Sequence, residues 1–147
     1  MAKKKKRDGR GTPQGPVTEA PTCSCLLLCD DVVISTAQDK HVLQGVIGSF
    51  GLPGVPAVAG NFVAYLRVSN VYPSQRLSVR FENAASGEIL FEFEANFVSQ
   101  KDPLEVHTLV SRILPFEVKE FGRHILSAVY NGMPVAQTPV YVVEMEG

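Results

Sequence analysis

The sequence predicts an all-β chain: an antiparallel two-sheet sandwich, immunoglobulin-like, of about seven to nine strands. Three observations carry this. Apolar runs recur at roughly 8–15-residue spacing. Twelve Gly and ten Pro punctuate them. The central runs alternate apolar and polar with period two, which places each set on one face of a pleated strand. A Lys-rich segment of different composition precedes the first run.

Residues 1–22 are Lys, Arg, Gly, Pro and Thr with almost no apolar side chain, and read as a disordered tail, because ordering them would cost entropy with little surface buried in return. Residues 23–147 read as the sandwich domain. From Cys25 to Ser35 the chain is apolar except for Asp30 and Asp31, which predicts a strand with an irregularity at the pair. Residues 36–40 form a turn. His41 to Phe50 reads as the second strand of a hairpin, and the Gly/Pro-rich run 51–60 as a crossover loop.

Phe62, Ala64, Leu66 and Val68 share one face of the next strand. In Arg76 to Glu82, Leu77, Val79 and Phe81 point inward; in Glu88 to Val98, Ile89, Phe91, Phe93, Ala95 and Phe97 do. A turn at 83–87 joins these two strands, so the Arg76/Arg80 row can face the Glu92/Glu94 row across the ladder. Residues 107–119 carry some helical spacing. Their β-branched content and the Phe116/Val118 alternation favour strand over a short helix, with Pro115 marking a break or an edge. Asn131-Gly132 between Arg123–Tyr130 and Val135–Glu144 predicts a type I′ hairpin, whose two central residues must both tolerate positive φ. The expected shared core is Phe62, Leu66, Val79, Phe81, Phe91, Phe93, Leu126 and Val142.

The opening run Leu27-Leu28-Cys29-Asp30-Asp31-Val32-Val33 and the following Val42-Leu43-Gln44-Gly45-Val46-Ile47 resemble a family of small bacterial β-sandwich proteins catalogued only as a domain of unknown function. The closing stretch Gly122-Arg123-His124-Ile125-Leu126, Asn131-Gly132 and Thr138-Pro139-Val140-Tyr141-Val142-Val143 is similar to that family's last hairpin, and to many immunoglobulin-like sandwiches. The resemblance spans roughly residues 26–145. It implies a sandwich fold and supplies no activity; the Lys-rich tail is not part of it.

At 147 residues the chain has the size of one domain and can bury a core without disulfide or metal staples. Net charge is −1, but unevenly placed. Residues 1–22 hold six bases and two acids, net +4; the remainder holds eight bases and thirteen acids, net −5. Three cysteines make a poor disulfide framework. The basic start is followed by a polar, Pro/Gly-rich stretch rather than an apolar one, which argues against a secretory signal. No apolar run is long enough to span a bilayer. These features predict a reduced, cytoplasmic protein.

Cys23, Cys25 and Cys29 lack the second ligand pair of a structural zinc site; Cys29 reads as a small buried hydrophobe and Cys23 and Cys25 as exposed thiols. Asp30 and Asp31 are a possible structural polar site. As consecutive strand residues their carboxylates point to opposite faces, so they suit a bulge or turn better than a cation site. His41, His107 and His124 show no metal spacing and read as half-exposed strand residues. Ser35, Thr36 and Ser111 lack a nucleophile-elbow context, and the Gly-rich stretches near 45–54 are not followed by a helix that could cradle phosphate. No catalytic residue, cofactor or metal is indicated.

Lys3, Lys4, Lys5, Lys6 and Arg7 are a possible polyanion contact: consecutive cations bind phosphates without sequence preference, and the tail has no aromatic residue for base stacking. The leading functional reading is a non-enzymatic interaction or structural module with an unknown protein partner or self-association, since sheet edges need covering. The alternatives are weak non-specific nucleic-acid binding through the tail and an enzyme with an unrecognised site.

Overall fold

The computed structural model describes residues 20–35, 37–38, 40–71, 75–95 and 105–146. Among them the chain is all β, with eleven strands: β1 (Thr22–Ser35), β2 (Lys40–Val46), β3 (Ser49–Leu52), β4 (Ala57–Ala59), β5 (Val63–Ser69), β6 (Leu77–Asn83), β7 (Ile89–Ala95), β8 (His107–Arg112), β9 (Phe116–Val118), β10 (Gly122–Tyr130) and β11 (Met133–Glu144). They form a four-stranded sheet in the order β2-β1-β5-β8, a five-stranded sheet in the order β3-β11-β10-β6-β7, and the two-stranded pair β4-β9.

Three expectations are corrected. The strand count exceeds seven to nine, because the Gly/Pro-rich run 51–60 contains the end of β3 and all of β4 rather than only a loop. The stretch His41–Phe50 is not one strand. It breaks at Ile47 and Gly48, leaving β2 in the four-stranded sheet and passing β3 to the other. Pairing is not wholly antiparallel, since β3 lies parallel to β11, Phe50 beside Val142.

The two larger sheets share one core. Leu28, Leu66 and Val68 come from the first, Val79, Phe81, Leu126, Val140 and Val142 from the second, and Phe116 and Val118 from β9. All eight expected core residues lie in it or against it; Phe91 and Phe93 are only partly buried, because β7 is an end strand. The Arg76–Glu94 and Arg80–Glu92 pairs form across β6 and β7 at 3.4 and 3.0 Å. A register shift opposite Phe81/Glu82 pairs Glu82 with Ile89, and Ile89 turns out to solvent instead of inward; Phe97 lies outside the described residues. Residues 107–112 are strand, and Pro115 separates β8 from β9. Asn131 and Gly132 both have positive φ, 52° and 79°, as the type I′ turn requires.

One feature of β1 has no counterpart in the sequence pattern. His41 pairs with Ile34, and Tyr65 with Leu27. Seven extended residues, the distance from Leu27 to Ile34, cover roughly 23 Å. Yet His41 Nδ1 lies 2.6 Å from the Tyr65 hydroxyl. Strand β1 is therefore not straight between these positions but curves to bring His41 onto Tyr65. Strand β5 is buried on both faces, Val63 and Tyr65 as well as Ala64 and Leu66, and the His41 ring packs against Tyr65. Gly45 adopts φ +64° against the Asp30 side chain, where a Cβ would collide with the carboxylate.

Candidate functional site

The residues singled out in the sequence do not converge. Lys3 to Arg7 lie outside the described residues. Asp30 and Asp31 are both exposed. Asp31 Oδ1 accepts the Val32 backbone N–H at 2.9 Å and meets Arg112 Nη2 at 3.5 Å, while Asp30 sits against Gly45. Cys29 is fully buried as expected, but Cys23 and Cys25 are half-buried rather than exposed: a register shift between them leaves Cys23 against the core and Cys25 beside Arg67. Burial pushes all three thiols up from their ordinary value, and Arg67 partly offsets this at Cys25. His41 and His107 are half-buried strand residues. His124 instead is 1 % exposed, stacked on Phe81 at 5.4 Å, with Nδ1 3.0 Å from the Gly122 carbonyl oxygen. It is a core residue. Among the described residues no three His, Cys, Asp or Glu side chains are grouped to hold a metal ion.

The structure instead brings together a site that no motif marks. Strand β7 ends the five-stranded sheet and β8 ends the four-stranded sheet. A cleft of about 420 Å³ runs between Leu90–Glu94 of β7 on one side and Ser111 to Phe116 on the other. Its apolar surface comes from a ring cluster. Phe91 lies 5.1 Å from Phe116, 5.3 Å from Phe81 in a stacked arrangement, and 6.4 Å from Phe93. Leu114, 81 % exposed, and Pro115 line the opposite wall. They occupy the short link between β8 and β9, where Pro115 prevents a continuous strand. A smaller depression of about 200 Å³, lined by Glu88, Ile89, Leu90, Glu117 and Lys119, extends the cleft along β7. Lys119 Nζ and Glu88 Oε2 are 2.9 Å apart, which raises the Lys119 pKa.

The rim charges are compensated: Glu92 by Arg80, Glu94 by Arg76, and Arg112 by Asp31. The cleft thus offers apolar side-chain contact beside a strand edge whose outer N–H and C=O groups have no ladder partner among the described residues. Among the described residues that line it, Ser111 carries the one side-chain hydroxyl, and none is His, Cys or Lys. In sequence, β7 was legible as a strand. Its neighbour across the cleft was not, because residues 111–116 follow it by some twenty positions and carry no motif.

No helix among the described residues is long and apolar enough to cross a membrane. No curated protein matches the chain. Residues 24–143, from the first residues of β1 almost to the end of β11, match a family described as "Family of unknown function (DUF6941)". The match covers most of the chain and both larger sheets, and the protein belongs to this family.

Proposed function

We propose that the chain is a non-enzymatic interaction module, an immunoglobulin-like β-sandwich that takes an extended peptide segment of a protein partner along β7. The observation that carries this reading is the juxtaposition of an unpaired strand edge with the Phe91–Phe93–Phe116 cluster and the exposed Leu114. Strand addition supplies main-chain hydrogen bonds, and adjacent apolar pockets select alternate side chains. A volume of about 420 Å³ suits one or two large apolar side chains. The paired rim charges favour this over capture of a free ion.

A phage-displayed random peptide library, panned on the full chain and on Leu114→Asp, tests it. Leu114 is so exposed that the substitution leaves the core alone. Peptides with apolar residues at alternate positions should enrich on the parent and be lost on the variant. Equal enrichment on both, or none on either, would sink the reading.

The charge split between residues 1–22 and the remainder supports a second reading, weak nucleic-acid binding by Lys3 to Arg7.

A further inference from the structure

A second strand edge, far along the other sheet, carries a different pattern. Strand β2 ends the four-stranded sheet, and its outer side has no ladder partner among the described residues. One face of the β1–β2 hairpin is partly covered: His41 lies on Tyr65, while Ile34 beside it is 44 % exposed. The other face presents Val42 paired with Val33, 55 % and 48 % exposed, flanked by Lys40 beside Ser35 and by Gln44 beside Asp31. Two large aliphatic side chains thus stand in water side by side at the margin of a sheet, where edges are ordinarily blunted by charge or Pro.

We propose that β2 pairs antiparallel with β2 of a second copy of this chain, about a two-fold axis through Val42. Symmetry narrows the choice. Residues opposite one another on antiparallel strands share a face, so the axis must pass through a residue and not between two. An axis at Leu43 would set Lys40 against Val46 and Val42 against Gln44. An axis at Gln44 would draw Gly45, with φ +64°, into the ladder. The axis at Val42 uses only Lys40 to Gln44, which lie before that break. It aligns Val33 and Val42 of one copy with Val42 and Val33 of the other in a single apolar row.

Charge is complementary in the same register. Lys40 falls opposite Gln44 of the second copy, one strand from Asp31 of that copy and on the same face, since Asp31 pairs with Gln44. Adjacent strands lie about 4.8 Å apart, so the two charged residues are separated by roughly 10 Å at their backbones, within reach of a Lys side chain. The pair forms twice about the axis, with opposite charges flanking the apolar row on both sides. The two four-stranded sheets then join into one of eight. This edge lies apart from the β7 edge, but Asp31 also meets Arg112 of the cleft rim at 3.5 Å, so Lys40 of the second copy would share that carboxylate with Arg112.

Sedimentation velocity of the full chain over a concentration series, at low and at physiological salt, tests the proposal. The parent should form a dimer that weakens with salt. Val42→Lys places two ammonium groups on the axis and should weaken the dimer about tenfold or more. Thermal unfolding of the variant checks that the monomer is intact. Lys40→Asp and Asp31→Lys should each weaken the dimer, and the double exchange should restore it, which a merely structural role for either residue would not produce. A monomer at all concentrations up to about 1 mM would overturn the proposal. So would a dimer indifferent to Val42→Lys, or a double exchange no better than the single ones.

Discussion

The Thr138 hydroxyl on β11 donates to the Leu26 carbonyl on β1 at 2.7 Å, a hydrogen bond between the two larger sheets. Strand β2 pairs with β1 only from Cys29 onward, so the first half of β1 has one side without a ladder partner among the described residues, and Thr138 meets a carbonyl on that half. Thr138 pairs with the fully buried Leu126 and so sits on the core side of its sheet. Replacing it with Val keeps the shape and removes the donor. We expect Thr138→Val to cost about 1–3 kcal/mol, the range for stranding a partly buried polar group. Urea unfolding followed by intrinsic fluorescence measures this. An unchanged midpoint would mean that water replaces the hydroxyl.

Phe81 and Phe93 distinguish core from cleft. Both face inward from neighbouring strands, but Phe81 is fully buried and touches Phe91, Phe116 and His124, while Phe93 is half-buried on the cleft. Phe81→Ala should cost about 3–5 kcal/mol. Phe93→Ala, at an edge already open to water, should cost less, roughly 1–3 kcal/mol. Equal losses in denaturant titrations would show that the cleft is closed in solution.

The thiols set a pH dependence. Burial raises all three above the ordinary value of about 9, so each thiolate is disfavoured in the folded chain. A raised folded-state value gives stability that is complete below the unfolded pKa and is lost as pH rises through the folded one. Stability should therefore decline above about pH 9, and Cys29→Ala should flatten that decline relative to the parent. At neutral pH, alkylation by iodoacetamide should be slower in the folded protein than in denaturant. Identical alkaline profiles for parent and variant would remove Cys29 as a contributor.

The tail reading makes a salt prediction. About five phosphate contacts from Lys3 to Arg7 imply a slope near −4 or −5 in log affinity against log salt on duplex DNA. The acidic remainder of the chain, net −5, opposes binding, so it should be clear only below physiological ionic strength. Replacing Lys3 to Lys6 with Ala should abolish most of the slope in a fluorescence-polarisation titration. Tight binding at about 150 mM salt would instead make nucleic acid the leading partner.

The cleft was half legible before the structure. Phe91 and Phe93 are marked by alternation, and Leu114-Pro115 by a Pro that ends a strand. What could not be read is that they face one another, since which edges of two sheets lie together depends on strand order and not on local pattern.

Local chemistry determined the rest of what the sequence says. Period-two alternation fixed the inward face of β6, cross-strand charge placed Arg76 and Arg80 opposite Glu94 and Glu92, and Asn131-Gly132 fixed the last hairpin. These depend on neighbours along the chain or directly across a ladder. Three outcomes were decided only by tertiary packing. His41–Phe50 splits between two sheets, because Ile47 turns into the core and β3 joins the far edge beside β11. His124 is buried because β10 lies in the middle of its sheet with Phe81 available to stack on it. Tyr65 is buried with the ring of His41, more than twenty residues earlier, against it, a long-range contact that leaves no periodic trace in either segment.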